Sequence, residues 1–227
     1  MDMKLKEWAG KEPGSLFDLT ELMLLAAFFI LEYLGVIHIP ISTTIPLFLF
    51  AWLSLRLRGK GWRDVGWQRP SNLGTAALLA LFAAIAMQVI SFFIVIPVAS
   101  SITGDEINLS ILNQLRGNLG MLLIGLIVAW VLAAFGEEFV YRGYLFNRIL
   151  DLVGNRPVGL LIALLFSSAL FGFVHSYQGV VGMVDTFFGG LAAGGLYIAS
   201  GRKLWVPILY HGIYDTIGFV LAYAGML

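Results

Sequence analysis

The sequence predicts an all-α fold, a polytopic integral membrane helix bundle of about seven transmembrane helices, and three observations carry that prediction. Hydrophobic residues make up 59% of the 227 and charged residues only 12%, where a soluble domain carries about 25% charged residues. Mean hydropathy is +0.87. Apolar runs recur along the chain near the spanning length of about 20 residues, and most of the charge is gathered between them. Cysteine is absent, which excludes disulfides, thiolate metal ligands and a cysteine nucleophile. The net charge of zero points to no class of partner, and no nucleic-acid partner is expected.

The runs cover residues 19–37, 41–57, 73–100, 119–150, 158–173, 180–200 and 204–227. Residues 1–20 are mixed polar and charged, with no short apolar region ending at a small-residue cleavage site, so the first run is expected to be a retained anchor. Pro40 and Pro46 favour a turn between the first two runs over one continuous rod. The fifth and sixth are parted by Ser176, Tyr177, Gln178 and Gly179. His38 sits at a loop edge and reads as solvated.

Lys and Arg set the expected orientation. Lys4, Lys6 and Lys11 precede the first run, and Arg56, Arg58, Lys60, Arg63 and Arg69 lie between the second and third. Arg142, Arg148 and Arg156 flank the joint of the fourth and fifth, and Arg202 and Lys203 join the sixth to the seventh. Arg116 alone falls on the other side, near the acidic pair Asp105 and Glu106. This bias fits a multi-pass protein of the cell membrane with an odd number of spans, N-terminus cytoplasmic and C-terminus outside. The basic loop 61–70, with Trp62 and Trp67, reads as an interfacial anchor. Gly190 and Gly194 form a small-xxx-small pair, which predicts close helix packing. Residues 1–227 read as a single transmembrane domain, with the chemistry concentrated in residues 117–227.

Residues 136–142 read Gly-Glu-Glu-Phe-Val-Tyr-Arg inside the fourth run. Ionisable groups in a hydrocarbon-length segment cost a few kcal/mol or more each, so by default they mark function. As a straight helix, residues 119–150 would be about 48 Å long, so the end bearing Asn147, Arg148 and Asp151 must leave the hydrocarbon. Glu138 and Arg142 are four apart and suit an ion pair on one face. Glu137 is turned about 100° away and is freer for chemistry. The bland reading is that both carboxylates only pair with arginines to fix packing.

Two other runs hold matching groups. The fifth ends Phe171-Gly-Phe-Val-His175, and the seventh contains His211-Gly-Ile-Tyr-Asp215. Spacing of four puts His211 and Asp215 on one helix face. His175 alone is equally well read as a hydrogen-bonded core histidine. Asp185 is buried by position, either supporting the site or lining a water path. Peptide hydrolysis needs an activated water, a proton donor for the leaving amine and donors for the oxyanion. A buried Glu can be tuned toward a general base. Two imidazoles and a carboxylate are also a common ligand set for catalytic zinc, with Glu137, His175 and His211 as the candidates for Zn2+ or another divalent metal. The soluble zinc motif His-Glu-x-x-His is absent, and so is a Gly-x-Ser-x-Gly turn.

Glu137-Glu138-x-x-x-Arg142, Phe171-x-x-x-His175 and His211-x-x-x-Asp215, in that order on successive helices, resemble the CPBP family of intramembrane proteases. That family includes the type II CAAX prenyl endopeptidases and their bacterial Abi relatives. The likeness covers about residues 119–223, with the lead-in 204–208 before His211. It implies a catalytic set of Glu137, His175, His211 and Asp215. Glu137 would activate water with His175, His211 and Asp215 would sit opposite as ligands or as oxyanion and orientation groups, and Glu138 and Arg142 would support. The implied substrate is a peptide or protein, membrane-associated or lipidated, met in the bilayer. Many members carry Asn where this chain has Asp215. An ionised Asp cannot donate a hydrogen bond, so Asp215 is a protonated donor, an orienter of His211 or a metal ligand.

Straight, upright helices would set His175 about 28 Å from Arg156 but His211 only about 10 Å beyond Leu204. A shared site therefore requires a tilted fifth helix or a hairpin around residues 142–156 that projects into the cytoplasm. Two other readings compete: a proton- or ion-coupled transporter, since buried Glu, His and Asp also build relays, and a non-catalytic scaffold. Matching interrupted half-repeats of the transporter kind are absent.

Overall fold

Every regular element among the described residues, 16–37 and 42–227 of the computed structural model, is helical. His38, Lys4, Lys6, Lys11 and Pro40, on which readings above rest, lie outside those residues. The helices are α1 (Leu16–Tyr33), α2 (Thr44–Leu57), α3 (Leu73–Thr103), α4 (Leu119–Val153), α5 (Pro157–Phe173), α6 (Gly179–Ala199) and α7 (Trp205–Tyr223). Their order follows the apolar runs. α3, α4 and the stretch Ser176–Ala199 are long and apolar enough to cross a membrane, while α2 and α5 are apolar but shorter. Helix length thus carries three of the expected spans and leaves the full count of about seven open.

Local chemistry sets the boundaries. Asn72 Oδ1 accepts from Thr75 N (3.0 Å) at the start of α3, and Asn118 Oδ1 accepts from Met121 N (3.1 Å) at the start of α4, each satisfying one donor of the helix's first turn. α5 opens on Pro157, whose missing N–H costs nothing there. Pro97 falls inside α3, where its ring would clash with a carbonyl one turn back. The helix widens into a π-turn over Ser91–Val95 and continues.

The helices meet at two ends. At the basic end, Leu204 N donates to Gly66 O (2.9 Å) and Tyr197 OH to Val65 O (3.4 Å). Gly66 has φ 96°, and a Cβ there would collide with the Arg202 carbonyl, so the docking of this loop on the α6–α7 turn needs glycine. At the opposite end Asn108 N donates to Gln178 O (2.9 Å) and Gly117 N to Tyr223 O (3.0 Å).

Arg58 and Arg148, counted above as loop charges, are buried at the basic end. Arg58 pairs with Asp18 (2.6 Å) and Glu21 (2.5 Å) of α1, and Arg148 with Asp151 (2.5 Å) and Asp18 (3.6 Å). The network ties α1 to the end of α2 and to the last turns of α4. Lys60 reaches Asp151 at 3.7 Å, and burial together with the neighbouring Arg148 holds its ammonium below the usual lysine range.

Close packing follows the small residues. A Cβ on Gly190 would sit 3.2 Å from Ser168 of α5, and one on Gly194 would overlap Leu164, so the expected tight face of α6 lies against α5. Outward faces are apolar and bare, with Phe93 76% and Ile102 79% exposed, as suits lipid rather than water. Gly212 of α7 lies under the Trp130 ring of α4. A Cβ there would fall 2.6 Å from two ring carbons, and the ring is itself held by Trp130 Nε1–H donating to Thr216 Oγ1 at 3.1 Å. Gly212→Ala is expected to cost about 1–3 kcal/mol by overpacking, read as a lower thermal unfolding midpoint in detergent.

Candidate active site

α4 carries the two carboxylates, and it is not an α-helix where it does so. It is π-helical over Ala129–Glu137 and again over Phe139–Leu145. The wider turn changes which residues stack along the helix. Such π segments occur frequently at functional sites, and no sequence signal marks this one.

Glu138 and Arg142 are paired as expected, Nη1 to Oε1 at 2.9 Å, and both are sealed from solvent, at 1% and 0% side-chain exposure. Arg142 Nη2 also donates to Gly190 O of α6 (2.8 Å), and the guanidinium lies 4.6 Å from the centre of the Phe171 ring of α5. His211 approaches from α7. Its Nδ1 lies 2.9 Å from Glu138 Oε1 and its Nε2 3.5 Å from Asp215 Oδ2. The ring expected to face Glu137 is therefore held by Glu138, so Glu138 is shared between a supporting pair and a candidate catalytic imidazole. A ring with a carboxylate on each side is satisfied on both sides only when both nitrogens carry hydrogen.

Glu137 is held from a helix that the motifs do not include. Thr44 Oγ1, at the start of α2, donates to Glu137 Oε1 at 3.3 Å, while Glu137 Oε2 is buried without a hydrogen-bond partner among the described residues. Gly136 makes the approach possible, since a Cβ there would lie 2.7 Å from Thr44 Cγ2. Glu137 is close enough to His175, His211 and Asp215 for their charges to interact.

His175 lies just past the end of α5, where the chain turns through Ser176–Gln178 into α6. Its Nδ1 is 2.7 Å from Phe171 O. A carbonyl only accepts, so Nδ1 carries the hydrogen and Nε2 is left as the acceptor of a neutral ring. Phe171 joins the two imidazoles, its ring centre 4.9 Å from that of His175 and 5.8 Å from that of His211.

The depth problem is resolved by projection of the α4–α5 hairpin. A Cβ on Gly143 would touch Val65 O (3.3 Å) and Leu204 (3.2 Å), so Gly143 is level with the basic-end loops and the remaining turns of α4 extend beyond them. α5 starts below that level and reaches Phe171 beside Arg142. Asp185 stands apart from these contacts: Ser91 Oγ donates to its Oδ1 (2.5 Å) and Tyr214 OH to its Oδ2 (3.4 Å).

The donor set does not fit a metal as it stands. Among the described residues no group of three or more His, Asp and Glu side chains is placed to hold one. Both nitrogens of His211 face carboxylates, whereas His175, with Nδ1 on the Phe171 carbonyl, keeps Nε2 open.

The geometry defines a class: an all-helical membrane protein with a carboxylate–imidazole cluster assembled from α2, α4, α5 and α7. Residues 119–217, under half of the chain, match the family model described as Type II CAAX prenyl endopeptidase Rce1-like. The match spans Glu137, Glu138, Arg142, His175, His211 and Asp215 and leaves out Thr44. No curated protein and no solved structure matches the chain.

Proposed function

We propose that the protein is an intramembrane endopeptidase that hydrolyses a peptide bond near the basic end of its bundle, with Glu137 as the base. The observation that carries this reading is the state of Glu137: one oxygen tethered by Thr44, the other buried without a partner, in reach of two imidazoles. Glu137 Oε2 takes a proton from a water whose second hydrogen is accepted by His175 Nε2. The water oxygen attacks the carbonyl carbon, and the negative charge that develops on the carbonyl oxygen is offset by the positive charge of His211, whose two N–H groups stay on Glu138 and Asp215. The proton held by Glu137 then passes to the leaving amine nitrogen as the C–N bond breaks. Asp215 orients His211 in this scheme, because an ionised carboxylate cannot donate to the oxyanion.

The basic end faces the cytoplasm in this reading, following the Lys and Arg bias, with the N-terminus on the same side and the chain multi-pass. The substrate is a membrane-associated peptide or protein, and a prenylated one by analogy with the matched family. Purified protein in liposomes is expected to cleave members of a peptide library, followed by mass spectrometry. Proton uptake without cleavage would favour the transporter reading instead. Because both nitrogens of His211 are engaged by carboxylates, hydrolysis is expected to persist at an unchanged rate after treatment with a chelator such as 1,10-phenanthroline. A loss restored by added Zn2+ would move Glu137 from base to ligand.

A further inference from the structure

The loop between α2 and α3 does more than rest at an interface. Together with α4 it lines an open cavity of about 790 Å³ formed by Trp62, Arg63, Trp67, Gln68, Arg69 and Phe135. Its aromatic walls are fixed. Trp67 stacks on Trp205 (5.1 Å, 17°) and meets Phe135 edge-on (5.2 Å), and Trp62 packs on Phe139 (4.8 Å). The loop is pinned by the Leu204–Gly66 hydrogen bond, so the cavity is formed in advance of any ligand, which lowers the ordering cost of binding.

Its charge is one-sided. Arg63 and Arg69 are exposed, and neither pairs with a carboxylate among the described residues. Asp64, the loop's one acidic side chain, is turned to Gly61 N at 2.7 Å. Four residues past Arg69, α3 begins at Leu73, and its outer face, with Leu78 at 69% and Phe82 at 74% exposure, is bare and apolar. Two exposed guanidiniums, flat indole walls and an adjoining apolar ridge together suit one occupant, an anionic headgroup with attached acyl chains. Guanidinium donors match phosphate oxygens in pairs, indoles favour the headgroup level, and basic pockets at the cytoplasmic side of membrane helices attract anionic lipids.

We propose that this cavity is a binding site for an anionic phospholipid of the surrounding leaflet, its phosphate on Arg63 and Arg69, its backbone against Trp62 and Trp67, and its chains along α3. Phe135, the inner wall, belongs to the same helix as Glu137, while none of the candidate site residues lines the cavity. The site stands independently of the peptidase reading.

The test uses full-length protein in nanodiscs of equimolar phosphatidylglycerol and phosphatidylcholine, released and weighed by native mass spectrometry. Wild type is expected to retain phosphatidylglycerol in preference. Arg63→Gln with Arg69→Gln should reduce that preference by roughly fivefold per arginine. Arg156→Gln, an exposed charge at the same end but outside the cavity, should leave it unchanged. Equal retention of both lipids by wild type, or an unaltered preference in the double variant, overturns the proposal. So does displacement of the lipid by a peptide with a free C-terminal carboxylate but not by its amide, which would make the cavity a peptide subsite.

Discussion

Glu137→Gln is expected to lower peptide cleavage by roughly 10³-fold or more, in the upper part of the range for loss of a general base, with the thermal unfolding midpoint unchanged. The substitution is nearly isosteric and keeps an amide oxygen to accept from Thr44 Oγ1, which lies 3.3 Å from Glu137 Oε1. It removes only the capacity of Oε2 to take a proton from water. The buried Oε2 has no hydrogen-bond partner to lose among the described residues, so little stability is at stake. The informative measurement is the rate of cleavage at saturating peptide beside the melting curve. A variant that cleaves within tenfold of wild type would remove Glu137 from the mechanism, and one that melts early would make its role structural. Thr44→Val separates positioning from chemistry, since it leaves the carboxylate in place and removes its tether.

The parts of this site legible in the sequence are those set by spacing within one helix. Glu138 and Arg142, and His211 and Asp215, are each four apart, and each pair is in contact. The three motifs on successive apolar runs also pointed to a common site, and Phe171 brings the second and third together. What was not legible depends on contacts between distant segments. Thr44 lies 93 positions from Glu137, in a stretch where Ser42, Thr43 and Thr44 read as ordinary helix-start residues. The π-helical course of α4 has no composition of its own, and nothing in the spacing says that Glu138 meets His211. Arg58 and Arg148 show the same limit at the basic end. As charges beside an apolar run they report orientation, and their burial follows only once α1 brings Asp18 and Glu21 against them. The indoles of loop 61–70 read as interfacial from their basic neighbours, and what the sequence does not give is their contacts, Trp62 with Phe135 and Phe139 and Trp67 with Phe135.

Arg142→Met is expected to cost about 3–5 kcal/mol, the range for removing one partner of a buried ion pair. Methionine keeps much of the stem's volume, so the loss is mainly one of charge and hydrogen bonds. Glu138, at 1% exposure, would retain only His211, and Gly190 O would lose its donor. Three helices are joined by this one guanidinium, through Glu138 of α4, Phe171 of α5 and Gly190 of α6. The damage should therefore reach the imidazoles, because Phe171 contacts both and Glu138 holds His211. The double variant Arg142→Met with Glu138→Gln removes the stranded carboxylate and is expected to melt at a higher temperature than Arg142→Met alone, since neutralising both partners avoids the uncompensated charge. Cleavage should not recover with stability in that double variant, as a glutamine amide in place of the carboxylate no longer holds a doubly protonated His211. Recovery of both together would show that Glu138 acts only as the counter-ion of Arg142, and its bond to His211 would then carry no part of the chemistry.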